Sequence, residues 1–235
     1  MAEPASQHER VATVLSHNTW FSRRPAELRR QLIERAQVST VEAGHWLYDK
    51  GDEARGLYGV LSGSVTTLVA LDNGESVPVN ISGPGTIFGY AAQILGGHRV
   101  ATAIARERSE IIFVPQHALA AIAHEQPSLW IHFAELATEQ LTWAIRIIAE
   151  RSRLNPRARL AARLYGYAMN WAKQEGALVL PMRQDELAEL TGLSRKTING
   201  ILRDFEKLGL VALGYREITI LDKRGLRQVV EKERA

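Results

Sequence analysis

Apolar residues in the C-terminal third of the chain recur at helical spacing in two short segments that a glycine separates. In the second segment Ser194 is a suitable N-cap, and an apolar stripe follows it at intervals of three and four residues: Ile198, Ile201, Leu202, Phe205 and Leu208. The first segment covers about residues 184–190 and places Leu187 and Leu190 on its inner face. With Gly192 as the turn, the pattern predicts a helix-turn-helix.

The face of the second helix opposite this stripe is polar and basic. A helix with such a face, entered from a tight turn, suits the major groove of DNA. The expected DNA contacts lie on this face and at the starts of both helices: Arg183, Gln184, Ser194, Arg195, Lys196, Thr197, Asn199 and Arg203. An ordinary helical hairpin with a solvated basic face is the alternative.

Two short β-prone runs follow the helix pair between Leu210 and Ile220, and they flank a turn at Gly214. This pattern predicts a hairpin, which in this place would be the wing of a winged helix. Tyr215 and Arg216 at its tip are either phosphate contacts or plain turn residues.

Many short strands separated by glycine turns fill residues 39–116. The Asn73-Gly74 pair is typical of a hairpin turn, and the sequence Ser62-Gly63-Ser64 joins two further apolar runs. Strands at this spacing predict a closed β-roll or barrel, a fold that often holds one small ligand. Short helices are predicted before it, between about residues 8 and 38.

Residues 127–152 are predicted to form one long helix that begins near Pro127. Its apolar residues include a seam close to coiled-coil spacing: Phe133, Leu136, Leu141, Ala144 and Ile148. Because the helix is apolar on more than one face, it is expected to pack on its own domain and on a second copy of the chain. A helix buried within its own domain is the alternative. Asn155-Pro156 ends the helix.

These segments predict an α+β chain with an N-terminal double-stranded β-roll, a long dimerisation helix and a C-terminal winged helix-turn-helix. The expected domains are residues 1–126, 127–154 and 155–235.

Charge is distributed unevenly between the two parts of the chain. The formal net charge is only +3, but residues 151–235 hold 17 Lys and Arg against 10 Asp and Glu, whereas residues 1–150 hold 12 against 16. A basic C-terminal part is expected to meet a polyanion. The chain has no cysteine, which excludes disulfides and thiolate-bound iron–sulfur clusters. No secretory signal or apolar run of membrane-spanning length is visible, so a cytoplasmic protein without membrane contact is expected.

The order of these elements, and three short segments, resemble the CRP/FNR family of bacterial transcription regulators. The segments are residues 194–199, residues 57–64 and Phe88-Gly89-Tyr90 with the run that starts at Arg99. The resemblance covers about residues 20–222. It implies a homodimer that binds a two-fold DNA site, with RNA polymerase as a partner if the protein activates transcription.

By this resemblance Arg195 contacts a guanine, whose O6 and N7 atoms suit the guanidinium fork. Many members carry Glu where this chain has Lys196, and Arg where it has Gly200. A lysine cannot accept the hydrogen bond that a glutamate accepts from cytosine N4. The half-site is therefore expected to keep the family's TG step and to differ at its inner bases.

Family members that bind cyclic nucleotides carry Phe-Gly-Glu, followed by an Arg about ten residues beyond the Gly. This chain keeps the Gly and the Arg but has Tyr90 in place of Glu, and Val100 where a small hydroxyl residue is common. The resemblance implies cAMP or cGMP as the effector, with the Tyr90 phenol on a sugar hydroxyl. The expected effector-binding residues are Gly89, Tyr90, Arg99, Val100 and Thr142.

Other readings stay open at this point. The effector is a different anion, or haem with His98 as axial ligand, or the protein binds DNA without an effector. A cupin-type metalloenzyme is the remaining class, but its strands would carry clustered histidines, and the predicted strands carry almost none. No metal site and no catalytic residues are therefore expected.

Overall fold

The computed structural model describes residues 6–92, 97–172 and 177–232. The chain forms two compact units, residues 1–140 and 141–235. The boundary between the two units therefore falls inside the long helix. The sequence instead predicted that helix as a separate segment, residues 127–154.

The first unit begins with short helices. A capping box between Ser6 and Glu9 starts α1. The apolar sides of these helices bury Val11, Trp20 and Leu28 in one core. Their bounds are α1 Gln7–Ser16, α2 Thr19–Ser22 and α3 Ala26–Glu34.

Within the described part of residues 37–115, eight short strands form two four-stranded antiparallel sheets. The strand orders are β1-β8-β3-β6 and β2-β7-β4-β5. The strands are β1 Gln37–Val41, β2 Trp46–Tyr48, β3 Gly56–Ser62, β4 Val65–Ala70, β5 Ser76–Ser82, β6 Ile87–Phe88, β7 Thr102–Ala105 and β8 Ser109–Pro115.

The two sheets enclose a small core of their own, which includes Val60, Val65 and Ile111. Tyr48 and Tyr58 pack against it. The double-stranded β-roll predicted from the glycine-separated strands is confirmed.

Two helices follow the roll: α4 Gln116–Glu125 and α5 Leu129–Arg153. The long helix was predicted within two residues at either end. Phe133 and Leu136, however, are buried in the core of the first unit, and the Phe133 ring stacks on Trp20 with centroids 6.0 Å apart. The expectation that these two residues form a dimer seam is therefore corrected, because they already pack within their own chain.

The second unit contains the end of α5, a three-stranded sheet and further helices. Asn155 caps α6 through its side chain, and Pro156 occupies the first turn. The strand order is β10-β11-β9. The elements are α6 Pro156–Asn170, β9 Leu178–Leu180, α7 Gln184–Thr191, α8 Arg195–Lys207, β10 Val211–Gly214, β11 Glu217–Ile220 and α9 Lys223–Lys232.

The sequence did not indicate β9 or α9. It also extended the apolar stripe of α8 one step too far, because Leu208 lies past the end of the helix and is mostly exposed. Within the described ranges, no helix is long and apolar enough to cross a membrane.

Candidate DNA-binding surface and effector site

The helix-turn-helix is built from α7, a glycine turn and α8. Gly192 ends α7 in the left-handed conformation with φ of 66°, which glycine adopts without steric cost. The Ser194 side chain then accepts a hydrogen bond of 3.1 Å from the Thr197 backbone N–H and starts α8. Ile198, Leu202 and Phe205 are fully buried beneath the helix. This packing fixes which face of α8 points outward.

The outward face carries the residues expected at DNA. Arg195, Lys196 and Arg203 are exposed, whereas Thr197 and Asn199 are half-buried. The Ser194 and Thr197 hydroxyls lie 2.8 Å apart. A groove of about 470 Å³ runs along this face, and its walls come from the start of α7, from Arg195 and Asn199 of α8, and from residues 213–218.

Two side chains at the start of α7 line the groove in different ways. Arg183 is held by acids, because its Nε lies 3.3 Å from a carboxylate oxygen of Asp185 and 3.7 Å from one of Glu186. Gln184 accepts a hydrogen bond of 2.9 Å at Oε1 from Nδ2 of Asn199. The structure therefore brings Gln184 and Asn199 together, a pairing that the sequence did not suggest.

The predicted hairpin is present as β10 and β11, with Gly214 opposite Glu217. Its two-residue tip is Tyr215 and Arg216. Tyr215 is 90% exposed, and Arg216 has φ of 59°, which a two-residue hairpin turn often requires. The tip thus presents an exposed phenol and a guanidinium beside the groove.

The last three turns of α5 carry an exposed apolar stripe. Leu141, Ile145 and Ile148 are 61%, 57% and 68% exposed and follow one another at intervals of four and three residues, so they share one side of the helix. Ala144 beside them is also exposed. The stripe differs from the expected seam because it includes Ile145 and excludes Phe133 and Leu136.

Arg99, the expected phosphate ligand, is only 4% exposed. Its Nη1 donates to the carbonyl oxygen of Gly89, and its Nη2 donates to that of Gly56 at 2.9 Å. Its guanidinium carbon lies 4.4 Å from the ring centroid of Tyr48 and 5.2 Å from that of Tyr58. Arg99 is thus enclosed by partners from its own chain.

Gly89 allows this arrangement. Its φ is 79°, and a Cβ at this position would lie 2.8 Å from Arg99 Nη1 and 3.0 Å from a ring carbon of Tyr58. A side chain at residue 89 would therefore displace the guanidinium. The close backbone approach that the resemblance assigned to a ligand is made here to Arg99.

The other expected effector residues differ in burial. Tyr90 is half-buried and packs against the helical core of the first unit, and burial raises its pKa to about 12. Val100 is mostly exposed, and Thr142 is exposed on α5 in the other unit. Among the described residues of the first unit, the Arg99 guanidinium is therefore already hydrogen-bonded at the position where the resemblance implies a cyclic phosphate.

Tyr48, Tyr58 and Gly56 surround Arg99 but were missed by sequence reasoning. Aromatic residues on strands are usual, and nothing in their spacing pointed to Arg99. His98, the open haem candidate, is exposed and pairs through its backbone with Glu53. Among the described residues, no group of three or more His, Asp or Glu side chains is arranged to hold a metal ion.

A β-roll, a long helix and a winged helix-turn-helix define the architecture of a two-domain DNA-binding regulator. Residues 38–126 match the cyclic nucleotide-binding domain family, and residues 158–229 match the Crp-like helix-turn-helix domain family. The chain belongs to the CRP/FNR family of transcription regulators.

Known proteins of similar sequence support this assignment. The chain is 28% identical over 196 residues to the transcriptional regulatory protein btr of Bordetella pertussis, covering 82% of this chain and 81% of that protein. It is 26% identical over 201 residues to the fumarate and nitrate reduction regulatory protein of Escherichia coli, covering 84% of this chain and 79% of that protein. A CRP/FNR family regulator from Thermus thermophilus has a similar structure, with a TM-score of 0.61 and 25% identity. The match covers 83% of this chain and 96% of that protein.

Proposed function

We propose that the protein is a homodimeric regulator that binds a two-fold DNA site in the cytoplasm through α8. The observation that carries this proposal is the exposed face of α8, where Arg195 lines a groove beside the wing. Arg195 is the first residue of a helix whose inner face is fully buried, so packing fixes the position of its backbone on the outward side. A guanidinium there fits guanine O6 and N7.

The surroundings of Arg195 support binding to a half-site that differs from the family's common one. Lys196 is exposed where many members have Glu, and a lysine only donates hydrogen bonds. Many members carry an arginine at the position of Gly200. Here an added Cβ would meet no atom within 4 Å, so the space that the arginine side chain would fill is open. We expect the TG step to be kept and the inner bases to change.

Two recognition helices about 34 Å apart would read successive major grooves on one side of DNA. The exposed stripe of Leu141, Ile145 and Ile148 supports a second copy as the partner of α5, because it is apolar and lies on one side of the helix. If the protein activates transcription, RNA polymerase is a further partner.

The experiment that tests DNA recognition is selection of binding sites from a random duplex library by the purified protein. The expected result is a two-fold site with a TG step in each half. With Arg195→Ala, the preference at one base pair per half-site is lost. Failure to enrich any sequence would contradict the proposal. So would an Arg195→Ala variant whose affinity falls by the same factor on every DNA sequence.

The effector is proposed to act through the β-roll. A cyclic nucleotide is supported by the match of residues 38–126 to a cyclic nucleotide-binding domain and by Gly89 and Arg99 at the expected positions. For the nucleotide to bind through its phosphate, the phosphate would have to replace the contacts of Arg99 with two carbonyl oxygens and two aromatic rings.

A second candidate is a β-roll that Arg99 closes without any ligand, and the enclosed position of Arg99 favours it. Calorimetric titration with cAMP and with cGMP separates the two. The closed roll predicts no heat of binding at millimolar nucleotide and DNA binding that neither nucleotide changes. Saturable binding of either nucleotide to the wild-type protein, with DNA binding that depends on it, would instead establish the cyclic nucleotide as the effector.

A further inference from the structure

The polar face of α8 holds few groups that accept a hydrogen bond from a base. Arg195, Lys196 and Arg203 only donate. The Ser194 hydroxyl accepts from the Thr197 backbone N–H and lies 2.8 Å from the Thr197 hydroxyl, so both hydroxyls already take part in the helix start. Asn199 Oδ1 is therefore the acceptor on this face best suited to a base that presents a donor.

Asn199 lies one helical turn after Arg195, and both line the same groove. Its side chain is half-buried, and its Nδ2 donates to Oε1 of Gln184 at 2.9 Å. Gln184 is the first residue of α7. The bond thus links the starting end of one helix of the pair to the outward face of the other.

This hydrogen bond engages one of the two amide N–H groups of Asn199. The amide has one acceptor oxygen and two N–H groups. Gln184 takes one N–H, so the oxygen and the other N–H are left for a further partner. The two share an edge when Gln184 takes the N–H that is trans to the oxygen, and the proposal below requires that arrangement. Adenine presents a donor at N6 and an acceptor at N7 in the major groove, and that edge of an asparagine side chain matches both.

The space beside Asn199 is open. Gly200 is exposed, and an added Cβ there would meet no atom within 4 Å. No longer side chain at residue 200 therefore stands between Asn199 and a base. An amide already held by Gln184 also loses less rotational freedom when it binds a base than a free side chain loses.

We propose that Asn199 reads one adenine in each half-site and that Gln184 is the positioning residue that orients it. This inference rests on the proposed DNA-binding function and deepens it. It assigns to Gln184 a role in base preference in addition to any phosphate contact at the start of α7.

Base analogues test the contact directly in the intact protein. Each adenine of the selected site is replaced in turn by purine, which lacks the N6 amino group, or by 7-deazaadenine, which lacks N7. One position is expected to lose roughly tenfold or more in affinity with either analogue. Asn199→Ala is expected to bind less tightly and to be indifferent to both analogues at that position.

Three Gln variants test the positioning role. Gln184→Met keeps the length of the side chain but removes the acceptor. It should reduce the adenine preference at that same position by roughly threefold or more. Combined with Asn199→Ala, it should cause no further loss of that preference. Gln184→Glu keeps the acceptor, so it should restore the preference while its charge weakens binding to every sequence. Gln228→Met is the matched control, because Gln228 lies on the exposed side of α9. It should change neither the adenine preference nor the overall affinity for DNA.

The outcomes separate this inference from the function on which it rests. If the wild-type protein enriches no sequence, the proposed function fails. If it selects a site but Asn199→Ala keeps every base preference, the adenine contact is wrong. If Asn199→Ala loses the preference but Gln184→Met weakens all sequences equally, Gln184 is only a phosphate contact. Circular dichroism of each variant confirms that it is folded.

Discussion

The guanidinium carbon of Arg99 lies 4.4 Å from the ring centroid of Tyr48, which places a buried positive charge against an aromatic face. Tyr58 offers a second ring at 5.2 Å, and two backbone carbonyl oxygens accept from the Nη atoms. Dipoles and rings of the chain itself thus compensate the Nη side of the cation, whereas its buried Nε has no hydrogen-bond partner among the described residues. Removing the cation would leave those carbonyl groups without their donors.

Arg99→Met should lower the free energy of unfolding of the first unit by about 2–4 kcal/mol, since it removes two charge-assisted hydrogen bonds and the stacking on two rings. Urea denaturation followed by circular dichroism measures the change. Arg108→Met is the control, because Arg108 is largely exposed and pairs with an exposed Glu42, so its loss should cost about 0.5 kcal/mol or less. A loss below about 1 kcal/mol in Arg99→Met would contradict the closed roll.

The tyrosines near Arg99 predict a loss of stability at high pH. Burial raises the pKa of Tyr48 to about 12, although the charge of Arg99 acts in the opposite direction, and burial also raises that of Tyr90 to about 12. In the unfolded chain these phenols ionise near pH 10. Between pH 10 and 12 the folded state therefore holds more protons than the unfolded state, and its stability falls as the pH rises.

Urea denaturation at half-unit steps from pH 9 to 12 measures this slope, and absorbance of the tyrosinate ion follows the titration. Tyr48→Phe removes the more deeply buried phenol and should make the decline between pH 10 and 12 shallower. Below pH 9 the difference in stability between variant and wild type should not depend on pH. An unchanged slope in Tyr48→Phe would show that Tyr48 ionises alike in both states.

The parts of the fold that local chemistry determines could be predicted from the sequence. Gly192, Ser194 and the stripe after it specify a turn, a cap and an inner face over a few residues. The partners of Arg99 could not be predicted, because Tyr48 and Gly56 are more than 40 residues away along the chain and only the closing of the two sheets brings them together.

The long helix shows the limit of periodicity in another way. Its apolar residues lie on several sides, so spacing alone does not say which side packs on its own unit. Trp20 decides this, because its ring stacks on Phe133 and its Nε1 donates to the His132 carbonyl oxygen at 2.6 Å. Ile145, in the second unit, is exposed.

The exposed stripe predicts that Ile145→Glu weakens the dimer. One uncompensated carboxylate from each protomer in an apolar contact should raise the dissociation constant by about 100-fold or more. Affinity for the two-fold DNA site should fall with it, since the two half-sites would no longer be bound by linked units. Sedimentation velocity over a range of concentrations measures the association.

Arg146→Glu is the control for this change, because it places a carboxylate at the adjacent exposed position, about 100° around the helix. It should leave the association unchanged. If Ile145→Glu remains dimeric, or if the wild-type chain is monomeric at micromolar concentration, the stripe is not the dimer contact.

Arg163 links α5 to the helix-turn-helix within the second unit. Its side chain is buried, its Nη2 donates to the Leu190 carbonyl oxygen at 3.0 Å, and its guanidinium carbon lies 5.3 Å from the ring centroid of Trp143. Leu190 is in the last turn of α7, so this bond satisfies a carbonyl group that has no partner within its own helix. The contact holds the end of α7, directly before the turn at Gly192.

Arg163→Met keeps most of the aliphatic volume and removes the guanidinium, so it should lower the free energy of unfolding of the second unit by about 2 kcal/mol. Because the change loosens the turn and not a base contact, affinity should fall by a similar factor on every DNA sequence. Arg227→Met is the control, since Arg227 pairs with Glu231 on the exposed side of α9, and it should cost about 0.5 kcal/mol or less. Urea denaturation and DNA titration measure both effects. If Arg163→Met loses base preference at one position while its stability is unchanged, Arg163 does not act through the end of α7.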